Sequence, residues 1–119
     1  MTDPQSSSPR LATSVHVTAL LRIAQQQGDF AVVLNKGDPT SGTILIVMLR
    51  RGDKPLIYQR FYNTEGSMKW DMLFSETPPG EFDTGDYLKK RLRQDPDLWI
   101  IELDTADEQR LIRLMDIVA

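Results

Sequence analysis

No cysteine occurs in the 119 residues of this chain. That absence removes disulfides, thiolate catalysis, Cys-ligated zinc and iron–sulfur clusters together. Histidine is nearly absent as well. His16 stands alone, whereas zinc catalysis gathers two or three nitrogen or carboxylate ligands. A Ser–His–Asp arrangement on an α/β-hydrolase frame needs a Gly-x-Ser-x-Gly elbow, and the sequence has none. Charge of one sign is also lacking. Lys and Arg number 14 against 17 Asp and Glu, leaving −3 and no bulk attraction to nucleic acid or acidic lipid. No apolar run is long enough to span a bilayer. The segment Met1-Thr2-Asp3-Pro4-Gln5-Ser6-Ser7-Ser8-Pro9 has no apolar stretch of the kind a signal peptide carries. Together these features lead us to expect a cytoplasmic protein without membrane contact, catalytic metal or cofactor.

What is present is ordinary globular material, 40% apolar and 26% charged. The length suits one domain with its own core. We expect a disordered tail over residues 1–9 and a single α+β domain over 10–119.

The chain is organised around Thr43-Ile44-Leu45-Ile46-Val47-Met48-Leu49. This run is short, apolar and bracketed by Gly37-Asp38-Pro39-Thr40-Ser41-Gly42 and Arg50-Arg51-Gly52-Asp53-Lys54-Pro55. It reads as a central strand covered on both faces. Before it, a helix from Thr13 or Ser14 to Gln27 places Val15, Val17, Ala19, Leu20, Leu21, Ile23 and Ala24 on a broad apolar arc that includes His16. Gly28 is its stop. Phe30–Leu34 forms a first strand. Leu56–Tyr62 reads as a third strand near a sheet edge, and Met68–Phe74 as a fourth that Pro78 and Pro79 end. A helix from Asp86 to Gln94, capped by Asp83 or Thr84, has a narrow stripe of Tyr87, Leu88 and Leu92. Pro96 stops it. Leu98–Leu103 is the last strand, and Thr105 with Glu108 has the spacing of a capping box that opens a third helix.

The expected fold is therefore α+β: a largely antiparallel sheet of four to five strands with three helices, in the order αβββ(β)αβα. The first and third helices should cover one face. The second covers less, so the far face of the central strand calls for a further cover, which a second copy in a homodimer would supply.

Three stretches in this order and spacing carry a family resemblance: Arg10–Arg22, Asn35-Lys36-Gly37-Asp38-Pro39-Thr40-Ser41-Gly42, and Asp95-Pro96-Asp97-Leu98-Trp99-Ile100-Ile101-Glu102. They resemble short alphaproteobacterial proteins grouped as a domain of unknown function, DUF1491. The resemblance spans nearly the whole chain after residue 9, and the Asp95–Trp99 segment is among its more specific parts. His16 stands where the resemblance implies Trp, which fits a position on an apolar face that accepts a flat ring. With no activity attached to that family, the resemblance implies a fold and no catalytic residues.

Gly37-x-x-x-x-Gly42 has the glycine spacing of a phosphate-binding loop. It lacks the Lys-Ser/Thr pair, and a strand follows instead of a helix, so a turn is the expected structure. Three candidate surfaces remain. Arg60, Tyr62 and Trp70 would contact a protein partner through a sheet edge or apolar patch, the function we expect. Arg50, Arg51, Lys54, Lys89, Lys90 and Arg93 would form a basic patch, with Tyr58, Phe61 and Tyr62 interleaved, suited to nucleic acid; a solvated helix face is the plainer meaning of such a run. Asp95, Asp97 and Glu102 would make a carboxylate site for acid–base or cation chemistry. Asp95 closing a turn and Asp97 opening a strand is the plainer meaning there.

Overall fold

The computed structural model describes residues 12–50, 53–62, 68–73, 83–105, 109–110 and 113. The first helix, α1 (Thr13–Gln26), has no side-chain cap at Ala12. A distant loop caps it: the Thr13 amide donates to the Thr40 carbonyl at 3.1 Å and the Ser14 amide to the Pro39 carbonyl at 2.9 Å. The Thr13 hydroxyl donates to the Gly42 carbonyl at 3.1 Å. Its other end closes as the sequence predicts. Gly28 takes φ +82°, and the Asp29 amide reaches back to the Ala24 carbonyl at 2.9 Å, a left-handed glycine closure that satisfies the last carbonyls.

The strands are β1 (Phe30–Asn35), β2 (Ile44–Arg50), β3 (Asp53–Tyr62), β4 (Met68–Leu73) and β5 (Trp99–Asp104), with α2 (Thr84–Gln94) between the last two. They form one sheet in the order β1-β5-β2-β3-β4. The central run is the middle strand, as its double-sided apolar character predicts. Three of the sheet's four strand pairings are antiparallel, as expected, and the fourth is parallel, so the sheet is mixed. β5 inserts between β1 and β2, antiparallel to β1 and parallel to β2 from Ile44↔Trp99 to Leu49↔Asp104. β3 lies one strand in from the edge, in keeping with its expected place near a border of the sheet. It is also longer than expected. Pro55 falls where the β2–β3 register shifts between Met48↔Leu56 and Arg50↔Asp53, so its missing N–H breaks no regular ladder.

Both sheet faces are packed. On one, Val17, Leu20 and Ala24 of α1 meet Ile44, Ile46, Met48, Tyr58, Trp99, Ile101 and Leu103. On the other, Tyr87, Leu88 and Leu92 of α2 lie on Leu45, Val47, Ile57, Leu98 and Ile100. The cover expected from a partner chain over the central strand thus comes from α2. A narrow stripe is enough because three residues on two turns reach one row of the sheet. The expected third helix falls mostly outside the described residues, within which Gln109, Arg110 and Arg113 are helical. The Arg110 guanidinium donates to Asp29 Oδ1 at 2.6 Å. The expected tail lies outside the described residues.

β5 is held at its start by a corner of backbone contacts. The Asp38 amide donates to the Asp97 carbonyl at 2.9 Å and the Trp99 amide to the Thr43 carbonyl at 2.8 Å. The Trp99 indole donates to the Asp38 carbonyl at 2.8 Å, and the Asn35 side-chain Nδ2 to the Leu98 carbonyl at 2.8 Å. Both loop glycines are there for close approach: a Cβ on Gly37 would sit 2.7 Å from Trp99 Cδ1, and one on Gly42 would sit 2.5 Å from the Asp97 carbonyl. Gly37→Ala is expected to cost about 1–3 kcal/mol of unfolding free energy, the range for overpacking a filled site. Urea denaturation of that variant should show it. A midpoint within error of the parent would mean the corner yields.

Candidate interaction edge

The loop of the corner carries one perturbed carboxylate. Asp38 Oδ2 accepts from the Ser41 amide at 2.8 Å, the Thr40 amide at 3.1 Å and the Ser41 hydroxyl at 3.2 Å. The Ser41 amide is the main cause of its lowered pKa; partial burial opposes the shift, and the Thr40 amide and Ser41 hydroxyl add to it. These bonds shape the loop whose carbonyls cap α1. They leave the carboxylate occupied within the loop.

The expected carboxylate site is not assembled. Asp95 Oδ1 accepts from the Asp97 amide at 3.1 Å, an Asx-type turn between α2 and β5. Glu102 lies five residues beyond Asp97, paired with Val32 and Val47, about 16 Å along an extended chain at ~3.3 Å per residue. Among the described residues no three His, Asp or Glu side chains gather as a metal site.

Of the expected basic patch, the described residues hold the α2 half. Lys89, Lys90 and Arg93 are exposed on α2, which leads into β5 at the end of the sheet where Ile44 faces Trp99. Arg50 pairs with Asp53 at the opposite end of β2. The side chains of Arg50 and Lys54, and all of Arg51, lie outside the described residues. Arg91 turns back on its own helix, donating to the Tyr87 hydroxyl at 2.8 Å with its guanidinium 5.8 Å from that ring's centre.

For the protein-contact residues, register places Arg60 opposite Trp70 and Tyr62 opposite Met68. Arg60 is only 5% exposed, which corrects its expected place at the surface. Trp70 packs half-buried against the α1-side core. The Tyr62 side chain is outside the described residues. His16 is half-buried on α1, in keeping with its place within the apolar arc.

Among the described residues, the large exposed apolar side chains are Val15 of α1, 48% exposed, and a row on β1. Phe30 is 74% exposed, Val32 51% and Leu34 49%. Ala31 and Val33 point the other way and pack on the α1-side core. Leu34 is an extra residue in a bulge, since Val33 pairs with Ile101 and Asn35 with Ile100. One side of β1 is paired with β5, and among the described residues nothing pairs with its outer side. The other sheet edge contrasts with it. β4 carries Lys69 and Asp71, both exposed; such charges deter strand addition. β1 carries no charge over Phe30-Ala31-Val32-Val33-Leu34-Asn35. A strand of this composition reads as interior in a sequence. Only the burial alternation of the folded chain reveals the outward row.

Comparisons with known proteins agree with the fold. The model of the DUF1491 family, described as a protein of unknown function, matches residues 11–113. A crystal structure of a DUF1491 family protein from Caulobacter crescentus CB15 is similar at 29% identity, covering 82% of this chain and 91% of that one, with a TM-score of 0.67. An NMR structure of a DUF1491 family protein from the same organism gives 29% identity, 82% and 87% coverage and a TM-score of 0.65. The solution structure of protein Atu0922 from A. tumefaciens shares the fold at 22% identity, with 83% and 89% coverage and a TM-score of 0.66. No curated protein matches the chain.

The Asp38 geometry carries a pH prediction. Its folded pKa lies below the ordinary value of 3.8, so its contribution to stability is full above that value and is lost as pH falls through the folded pKa. Asp38→Ala should therefore melt below the parent at pH 7, with the two melting temperatures converging in strong acid. A constant gap across that range would count against the loop bonds as the cause.

Proposed function

We infer that this chain, which belongs to the DUF1491 family, is a protein-binding module of the cytoplasm whose contact surface is the outer edge of β1. The reading is carried by one observation: an edge strand without a single charge presents an outward row of Phe30, Val32 and Leu34. An open edge offers unpaired backbone amides and carbonyls, and an extended partner segment satisfies them by adding a strand. Alternate side chains on that segment would meet the apolar row, so the partner strand is apolar on one face and uncharged at its centre. Arg60, the buried member of the expected contact set, takes no part. The proposed contact lies at the opposite edge from Trp70. No helix among the described residues is long and apolar enough to cross a membrane, and the apolar row is a strip on one strand.

Nucleic-acid binding is the rival that one experiment separates. The tagged chain is used to capture protein from lysate of its source cell, with and without nuclease. Val32→Lys places a charge in the middle of the row, at a half-exposed site where a folded chain accommodates it. The expected result is a stoichiometric protein that survives nuclease, is lost with Val32→Lys, and is retained with Lys89→Glu and Lys90→Glu. Capture that ignores Val32 but vanishes with nuclease would overturn this reading in favour of α2.

A further inference from the structure

We propose that the strand completing the β1 edge is β1 of a second copy, which joins two sheets into one across a two-fold axis. This inference rests on the edge reading above and names its occupant.

The first argument is registry. A two-fold axis perpendicular to a sheet turns one strand antiparallel to its copy and keeps every side chain on its own face. Directly opposed residues share a face. The row residues can then oppose only other row residues. If Val32 lies on the axis, it meets the partner's Val32, while Phe30 meets the partner's Leu34 and Leu34 the partner's Phe30. All three exposed side chains are matched. Centring on Ala31 would set Leu34 against the partner's Gly28, and centring on Val33 would set Phe30 against the partner's Lys36. One register alone satisfies the whole row, and it is centred in the strand.

The second argument is the inner face. In the same register Ala31 opposes the partner's Val33, so the α1-side row alternates a small and a β-branched residue across the junction. No charge opposes a like charge anywhere in Phe30–Asn35, because the strand has none. The bulge lies at Leu34, so Ala31–Val33 pair as a regular ladder about the axis, while Phe30 and the partner's Leu34 meet through their side chains. The other edge, with exposed Lys69 and Asp71 on β4, lacks this self-complementarity. One strand pair with a three-residue row is a small contact, roughly below 1,200 Å² in total. The dimer should accordingly be reversible and depend on concentration.

The test combines solution mass with a register probe. Sedimentation equilibrium of the full chain is expected to show a monomer–dimer equilibrium across the micromolar range, with Val32→Lys shifted to monomer at unchanged circular dichroism. Because the chain has no cysteine, Val32→Cys introduces a lone thiol. Opposed residues in an antiparallel pair lie about 4.5–5.5 Å apart between Cα atoms, within disulfide reach. Mild oxidation should therefore link Val32→Cys copies far faster than Lys90→Cys copies, whose thiol lies on the exposed face of α2. A chain that remains monomeric at high micromolar concentration overturns the self-pairing; so does a dimer that survives Val32→Lys. If such a monomer still loses its captured protein on Val32→Lys, the edge reading stands without the second copy. If its capture ignores Val32, both fall.

Discussion

The parallel pairing of β2 with β5 is the constraint on which this structure turns. Strands that run parallel cannot be joined by a tight turn, so the chain builds β3 and β4 on the far side of β2 and crosses back through α2 before β5 enters beside β2. The return is fixed where the Asp38 amide donates to the Asp97 carbonyl and the Trp99 indole donates to the Asp38 carbonyl. The Asp38 amide and carbonyl each engage the other segment, at 2.9 Å and 2.8 Å. Gly37 and Gly42 have no side chain because the Asp97 carbonyl and the Trp99 indole ring occupy that space. The same loop presents Pro39 and Thr40 carbonyls to the first turn of α1. One corner therefore sets the start of α1, the end of β1 and the entry of β5.

That arrangement has a consequence for the edges. By slipping between β1 and β2, β5 takes one side of β1 and leaves the other as a sheet border. The two borders are chemically unlike. β4 alternates Lys69 and Asp71 toward solvent, whereas β1 shows Phe30, Val32 and Leu34. The α2-side face differs in the same direction: α2 covers Leu45, Val47, Leu98 and Ile100 and stops short of the β1 row. A sheet that guards one border with charge and leaves the other apolar favours strand addition at the second.

Much of the architecture was legible in local pattern. The run Ile44–Leu49 marked the central strand, Gly28 marked the end of α1, and the Tyr87, Leu88, Leu92 stripe marked the face of α2. What escaped was long-range. α1 borrows its cap from residues 27 positions away, which no capping rule can see. The place of β5 depends on the corner, so its insertion between β1 and β2 could not be read from the order of strands along the chain. Arg60 sits in a strand whose faces mix polar and apolar groups, and only its burial in the folded chain, opposite Trp70, shows it turned inward. The carboxylates of Asp95, Asp97 and Glu102 are close in sequence, but Asp95 and Asp97 share a turn and β5 carries Glu102 away from it. The apolar row of β1 was hidden for the opposite reason: a strand rich in Val and Leu looks interior until its neighbours are known.

The most direct measurement is amide hydrogen exchange along β1, read residue by residue at increasing protein concentration. Successive amides of a strand point to opposite sides, so half of those in Phe30–Asn35 face β5 and half face the open border. The account predicts constant protection for the first set and protection that rises with concentration for the second. Border amides that exchange freely at every concentration, alone and with captured protein bound, would contradict it.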